Sequence, residues 1–290
     1  MPPQGKTISA NLFPVVGVGA SAGGLDAFKR LVRAIPEDSG VAYILVQHLE
    51  PTHESLLVDI LQKATKIPVR EITNNIHVEP NNIYIIPSNR LLTANDGKLE
   101  LSPRPPKNER NMPIDVFFTS LAEVHQAHAI GVVLSGTATD GTLGLKAIKD
   151  HGGVTFAQEL GSAAFDGMPQ SAIDADVVDF ILPPEEIPLQ LAKLTSTYNI
   201  GLTTDPAAGQ LPEENVFRQL LTQLRVRKGT DFTYYKQTTI RRRIIRRMGL
   251  LKRTDIADYL AYFKENIAEQ DLLYQDLLIP VTGFFRDPAT

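Results

Sequence analysis

The stretch Val15-Val16-Gly17-Val18-Gly19-Ala20-Ser21-Ala22-Gly23-Gly24 constrains this chain more than any other. It reads as a buried apolar strand that enters a glycine-rich turn and continues into a helix at Leu25-Asp26-Ala27-Phe28. The pattern recurs along the first 200 residues. Further strands are expected at Ala42–Gln47, Ile83–Ile86, Ala129–Leu134, Val154–Ala157 and Val177–Ile181, after a first one at Val15–Val18. Helices are expected at Leu25–Ala34, Glu54–Ala64, Ile114–His125, Gly144–Asp150, Pro169–Ala175 and Ile187–Tyr198. Short, continuously apolar strands divided by helices predict an α/β fold: a mostly parallel sheet flanked by helices on both faces.

The turn carries chemistry. Gly19-Ala20-Ser21-Ala22-Gly23 fits the G-x-S-x-G pattern of a nucleophile elbow, in which flanking glycines let the backbone turn sharply and lift a serine hydroxyl out at the strand's C-terminal end. The same residues fit a dinucleotide fingerprint as Gly17-x-Gly19-x-x-Ala22. The second strand discriminates between the two. Where a ribose-binding Asp or Glu would follow Tyr43-Ile44-Leu45-Val46-Gln47, the chain has His48, which suits a base for Ser21. In parallel sheets, functional residues gather beyond the carboxyl ends of the strands. Ser21 follows the first strand, His48 the second, and Asp140 follows Ile130-Gly131-Val132-Val133-Leu134, so all three are expected at one rim.

Composition limits the alternatives. A chain of 290 residues has room for two domains. No apolar run reaches membrane-spanning length, and the N-terminus lacks the charged and apolar regions of a signal peptide. The absence of cysteine excludes disulfides and thiolate metal sites. A cytoplasmic protein is expected, with no cofactor and no metal; His125 and His128 read as the polar end of a helix. Residues 1–200 carry 15 Lys+Arg against 22 Asp+Glu, whereas residues 201–290 carry 14 against 11. The change falls in a Gly- and Pro-punctuated stretch, which predicts one domain over 1–198, a linker over 199–212 and a small all-α domain over 213–290.

Four motifs in order resemble the catalytic domain of chemotaxis protein-glutamate methylesterases, the CheB type, over most of residues 13–195. They are Gly19-Ala20-Ser21-Ala22-Gly23-Gly24, Val46-Gln47-His48, Ser135-Gly136-Thr137-Ala138-Thr139-Asp140-Gly141 and Gly167-Met168-Pro169-Gln170-Ser171-Ala172. The resemblance implies a serine carboxylesterase that hydrolyses glutamate methyl esters on a methyl-accepting chemotaxis receptor or similar methylated protein, and that can also deamidate glutamine. It implies Ser21 as nucleophile, His48 as general base and acid, and Asp140 as the residue that orients the imidazole. Oxyanion donors are expected at Ala22 and in the Gly136-Thr137 loop. Two motif positions depart from the family pattern: Ala22 stands where threonine is usual, and Thr137-Ala138-Thr139 stands where Gly-Met-Gly is common. Members of that family usually carry an N-terminal receiver domain, whereas here the catalytic domain is expected to begin almost at Met1.

The second domain has a basic helix. Ile240, Ile244, Met248 and Leu251 form one apolar stripe, and Lys236 to Arg253 holds eight basic residues and no acidic one. Tyr235-Lys236, Arg242-Arg243-x-x-Arg246-Arg247-Met248, Asp258-Tyr259-Leu260 and Thr282-Gly283-Phe284-Phe285-Arg286-Asp287-Pro288 resemble the N-terminal helical domain of chemotaxis receptor methyltransferases, the CheR type. The methyltransferase fold itself would lie beyond Thr290, so the chain reads as the front part of an esterase–methyltransferase hybrid. Arg242, Arg243, Arg246 and Arg247 are the expected receptor-binding residues. Nucleic acid is not an expected partner, because the helix interleaves aliphatic rather than aromatic side chains. The competing reading is a non-catalytic docking module on a degenerate hydrolase fold.

Overall fold

The computed structural model describes residues 13–47, 56–104, 112–201, 211–232, 235 and 237–278, with backbone alone for 196–201, 211–213, Thr238 and Arg242. His48, the segment after Arg104, most of the 199–212 stretch and the Thr282–Pro288 motif lie outside these residues in whole or in part. The chain divides into two compact units, 1–195 and 196–290.

The first unit is built on a parallel seven-stranded sheet among the described residues. Its strands are β1 (Val15–Ala20), β2 (Ala42–Gln47), β3 (Val69–Glu71), β5 (Asn82–Ile85), β8 (Ala129–Val133), β9 (Val154–Gln158) and β10 (Phe180–Leu182), in the order β10-β9-β8-β1-β2-β5-β3. The fold class is as the sequence predicts. Sequence order reverses between β8 and β1, so the crevice above these two strands is where such sheets hold their sites. All six residues of β1 and all five of β8 are buried, which explains their unbroken apolar character.

Helices pack on both faces. Successive residues of a strand point to opposite faces, and β1 shows each side. A Cβ on Gly19 would meet Ile114 of α3 (Pro113–His125), whereas the Ala20 Cβ lies against Gly24 of α1 (Gly24–Arg33). On the α3 face, Leu145 and Ile148 of α4 (Thr142–Asp150) fill the space beside Gly131 of β8. Further helices are α2 (Leu57–Gln62), α5 (Gly167–Asp174) and α6 (Ile187–Gly201). The last runs three residues into the stretch expected as linker.

Two expectations need revision. A three-stranded antiparallel sheet, in the order β4 (Ile76–His77), β7 (Lys98–Pro103), β6 (Arg90–Asn95), was not anticipated. Its β6–β7 hairpin turns at Asp96 (φ 40°) and Gly97 (φ 77°), the left-handed pair of a tight primed turn. The last parallel strand begins at Phe180, not Val177. Ahead of it, Thr155 Oγ1 donates to the Val177 carbonyl and the Asp179 carboxylate accepts the Thr155 N–H, beside a single main-chain bond from the Asp179 N–H to the Thr155 carbonyl.

His125 ends α3 at 3% exposure, and its Nδ1 finds no hydrogen-bond partner among the described residues. Burial, with a smaller push from His128, drives its pKa down to about 4. The folded chain therefore keeps this imidazole neutral where an unfolded chain, at about 6.5, already binds a proton. More protons on the unfolded state mean that stability falls as pH drops from about 6.5 towards 4 and levels off below, by about 3 kcal/mol. Denaturant unfolding across that range should give a sloping stability difference between wild type and His125→Leu. A difference independent of pH would contradict this assignment.

The second unit has α7 (Leu211–Lys228), α8 (Gln237–Leu250), α9 (Ile256–Glu265) and α10 (Ile267–Leu278) around a separate core that includes Phe217, Leu224, Ile240, Ile244, Tyr259, Phe263 and Leu273. The predicted stripe of α8 faces that core, with Leu251 packed against its edge. The arginines do not form the exposed basic face expected of them. Arg243, Arg246 and Arg247 are 5%, 1% and 8% exposed. Arg246 pairs with Asp276 at 2.7 Å, and Arg247 Nε donates to Glu269 at 2.9 Å. The compensating acids come from α10, more than twenty residues away in sequence. The side chain of Arg242 lies outside the described residues. Among the described residues no helix is long and apolar enough to cross a membrane.

Candidate active site

The strand order places the ends of β1 and β8 side by side, with Gly19 registered against Val133. Ser21 is the first residue past β1. Its N–H donates to the Ser135 carbonyl at 2.9 Å, and its carbonyl accepts the Gly24 N–H at 2.9 Å, which closes the turn. Gly23 takes φ 74°, a left-handed conformation that favours glycine, and leads the backbone straight into α1. Ser21 remains partly exposed at the rim. The strand–turn–helix elbow therefore forms where the sequence put it.

The glycines also test the dinucleotide alternative. Cβ atoms on Gly17 and Gly19 would lie 2.7 Å from Phe118 Cε1 and 2.5 Å from Ile114 Cγ2. These positions are small so that α3 can seat on β1. Both lie inside β1 and not in the turn after it, where a phosphate-binding glycine would be needed, and packing accounts for them.

Ser135 holds the turn from the other side. Its hydroxyl donates to the Ala22 carbonyl at 2.8 Å and accepts the Phe165 N–H at 3.0 Å. Its own N–H is taken by the amide oxygen of Gln158, a side chain that is 1% exposed at the end of β9. Sequence reasoning quoted Ser135 within a motif but assigned it no role, and it missed Gln158 and Phe165. Only their tertiary bonds reveal them.

Of the expected oxyanion donors, Gly136 already has an acceptor for its N–H. Its N–H donates to the Phe165 carbonyl at 2.9 Å, and its carbonyl accepts the Met168 N–H at 2.9 Å. This lacing joins the loop after β8 to the start of α5 and uses both polar groups. The N–H groups of Ala22 and Thr137 have no acceptor among the described residues. A Cβ on Gly136 would sit 2.1 Å from the buried Met168 Sδ and 3.0 Å from Ser21 Cβ. Gly136→Ala is therefore expected to cost about 1–3 kcal/mol of stability through overpacking, measured by denaturant unfolding. An unchanged midpoint would show that the loop moves freely.

Asp140 closes the loop after β8 and is 3% exposed. Its Oδ2 accepts the Ile114 N–H at 3.1 Å and its Oδ1 the Asp115 N–H at 2.9 Å, at the N-terminus of α3. Each of these bonds uses one of the two lone pairs on its carboxylate oxygen. The Arg104 guanidinium lies close enough to be attracted by Asp140, although burial outweighs that attraction and lowers its basicity. His48 is outside the described residues. The strand that leads to it ends at Gln47, registered against Ala20, the residue before Ser21.

Comparison with known proteins agrees with this geometry. The family described as CheB methylesterase matches residues 16–191, and the family described as CheR methyltransferase, all-alpha domain, matches residues 215–278. A putative protein-glutamate methylesterase/protein-glutamine glutaminase of Leptospira interrogans is 33% identical over 176 residues, 60% of this chain and 91% of that protein. The protein-glutamate methylesterase/protein-glutamine glutaminase 2 of Anaeromyxobacter dehalogenans is 35% identical over 181 residues, 62% of this chain and 53% of its own length. An uncharacterized 104.1 kDa protein of Rhodobacter capsulatus is 34% identical over 252 residues, 80% of this chain, and the chain spans 26% of it. The crystal structure of the Thermotoga maritima CheB methylesterase catalytic domain superposes with a TM-score of 0.59 at 28% identity, covering 63% of this chain and all of that one.

Proposed function

Because the chain belongs to the CheB methylesterase family, we propose that its first unit is a cytoplasmic protein-glutamate methylesterase acting on a methyl-accepting chemotaxis receptor or similar methylated protein. The observation that carries this reading is the Ser21 elbow, tied to the Asp140 loop by the Ser21 N–H bond to Ser135 and set at the topological switch point. Ser21 Oγ attacks the carbonyl carbon of a glutamate side-chain methyl ester while His48 takes the hydroxyl proton. The uncommitted N–H groups of Ala22 and Thr137 face the task of holding the tetrahedral oxyanion. Collapse breaks the C–O bond, and methanol leaves with the proton from His48. Water then attacks the acyl-enzyme by the reverse roles and releases free glutamate. The same acyl chemistry on a glutamine side chain would release ammonia.

Asp140, held at the head of α3, accepts the second imidazole N–H of His48 and fixes its tautomer. Metal and organic cofactors have no part in these steps. The test is methanol release from methylated receptor by this chain and by Ser21→Ala. Release that depends on Ser21 supports the esterase; no release by the wild-type chain, with receptor still bound, would make the unit a docking module.

A further inference from the structure

Asp115 and Asp140 hold one another. The main chain of Asp115, with that of Ile114, donates to the Asp140 carboxylate. In return Asp115 Oδ1 accepts the Gly141 N–H at 2.9 Å and the Gly144 N–H at 2.7 Å, at the N-terminus of α4. The Asp140 carboxylate thus sits on the N-terminus of α3, the helix that contains Asp115, and the Asp115 carboxylate sits on the N-terminus of α4, the helix that follows Asp140. Asp115 is 7% exposed, and its Oδ2 has no hydrogen-bond partner among the described residues. The clamp fixes Asp140 at both ends: its side chain through α3, and the peptide immediately after it through Asp115. Nothing in the sequence motifs pointed to Asp115, which lies 25 residues before Asp140.

We propose that Asp115 is a positioning residue for the esterase, setting the place of the Asp140 carboxylate without touching substrate. The inference rests on reading Asp140 as the acid that orients His48. Its basis is geometric. An error of about 1 Å in a catalytic group can cost about 100-fold in rate, and the clamp ties down both the Asp140 carboxylate and the Gly141 peptide that follows it. What Oδ1 supplies is an acceptor at a fixed length, which an asparagine also supplies and a glutamate displaces by one methylene.

The experiment measures kcat and KM for a small methyl ester, per folded molecule, in the full chain. Asp115→Ala should lower kcat by about 10- to 100-fold with KM within about twofold, since no substrate contact is removed. Asp115→Asn should recover most of that loss, and Asp115→Glu should not, although it keeps the charge. In an Asp140→Asn background, Asp115→Ala should cost no further kcat. Should the alanine variant fail to fold, the order of asparagine above glutamate decides. The inference is overturned by the reverse order, by an unchanged kcat in Asp115→Ala, or by equal losses in both backgrounds. Ser21→Ala in the same assay separates the two levels: full activity there rejects the esterase reading itself, whereas its loss beside an indifferent Asp115 rejects only the clamp.

Discussion

Ser21→Ala and His48→Ala are each expected to reduce methyl-ester turnover by about 10⁶-fold, and the double variant to lose no more than either alone. A hydroxyl at its ordinary acidity is a poor nucleophile, and it becomes effective only when a base removes its proton as the new bond forms. Removing either partner therefore removes the same step. The turn around Ser21 is fixed by backbone bonds and by the Ser135 hydroxyl, none of which uses the Ser21 side chain. Ser21→Ala should accordingly fold with unchanged stability, so the loss can be read as chemistry. Turnover of a small ester by purified single and double variants measures it. Losses that multiply in the double variant would show that serine and histidine act in separate steps.

Much of this site was legible because its chemistry is local in sequence. A nucleophile elbow is written in five consecutive residues, and a buried parallel strand announces itself as a short apolar run. Glycine's two possible meanings were not separable there. Gly17 and Gly19 satisfy a phosphate fingerprint, and only the arrival of Ile114 and Phe118 from α3 shows that they serve helix packing. The β6–β7 hairpin was missed although Asp96-Gly97 lies between alternating segments, a signal that the strand-and-helix pattern of its surroundings overshadowed. The Gly136 amide is among the oxyanion donors that the family resemblance suggests. Its acceptor, the Phe165 carbonyl, comes from a loop 29 residues later, and no local pattern encodes that bond.

The same limitation governs the arginine helix, and it yields the second large effect. With no acid between Lys236 and Arg253, α8 looked uncompensated, yet Arg246 is 1% exposed and bonded at 2.7 Å to Asp276, itself 7% exposed. Taking one member out of such a pair strands the other charge in a poorly solvated site, at a cost of about 3–5 kcal/mol. A solvent-exposed arginine would cost less than about 0.5 kcal/mol. Arg246→Met is therefore expected to destabilise the helical unit by the larger amount, whereas Arg246→Met with Asp276→Leu, which removes both charges, should recover most of it. Hydrogen exchange of the α8 and α10 amides in the full chain reads the local stability directly. The result also bears on any binding assay: charge reversal at Arg246 would unfold the helical unit, so a loss of binding in that variant would say nothing of an electrostatic contact. Protection of α8 unchanged in Arg246→Met would place this side chain in solvent and restore it as a candidate for the receptor surface.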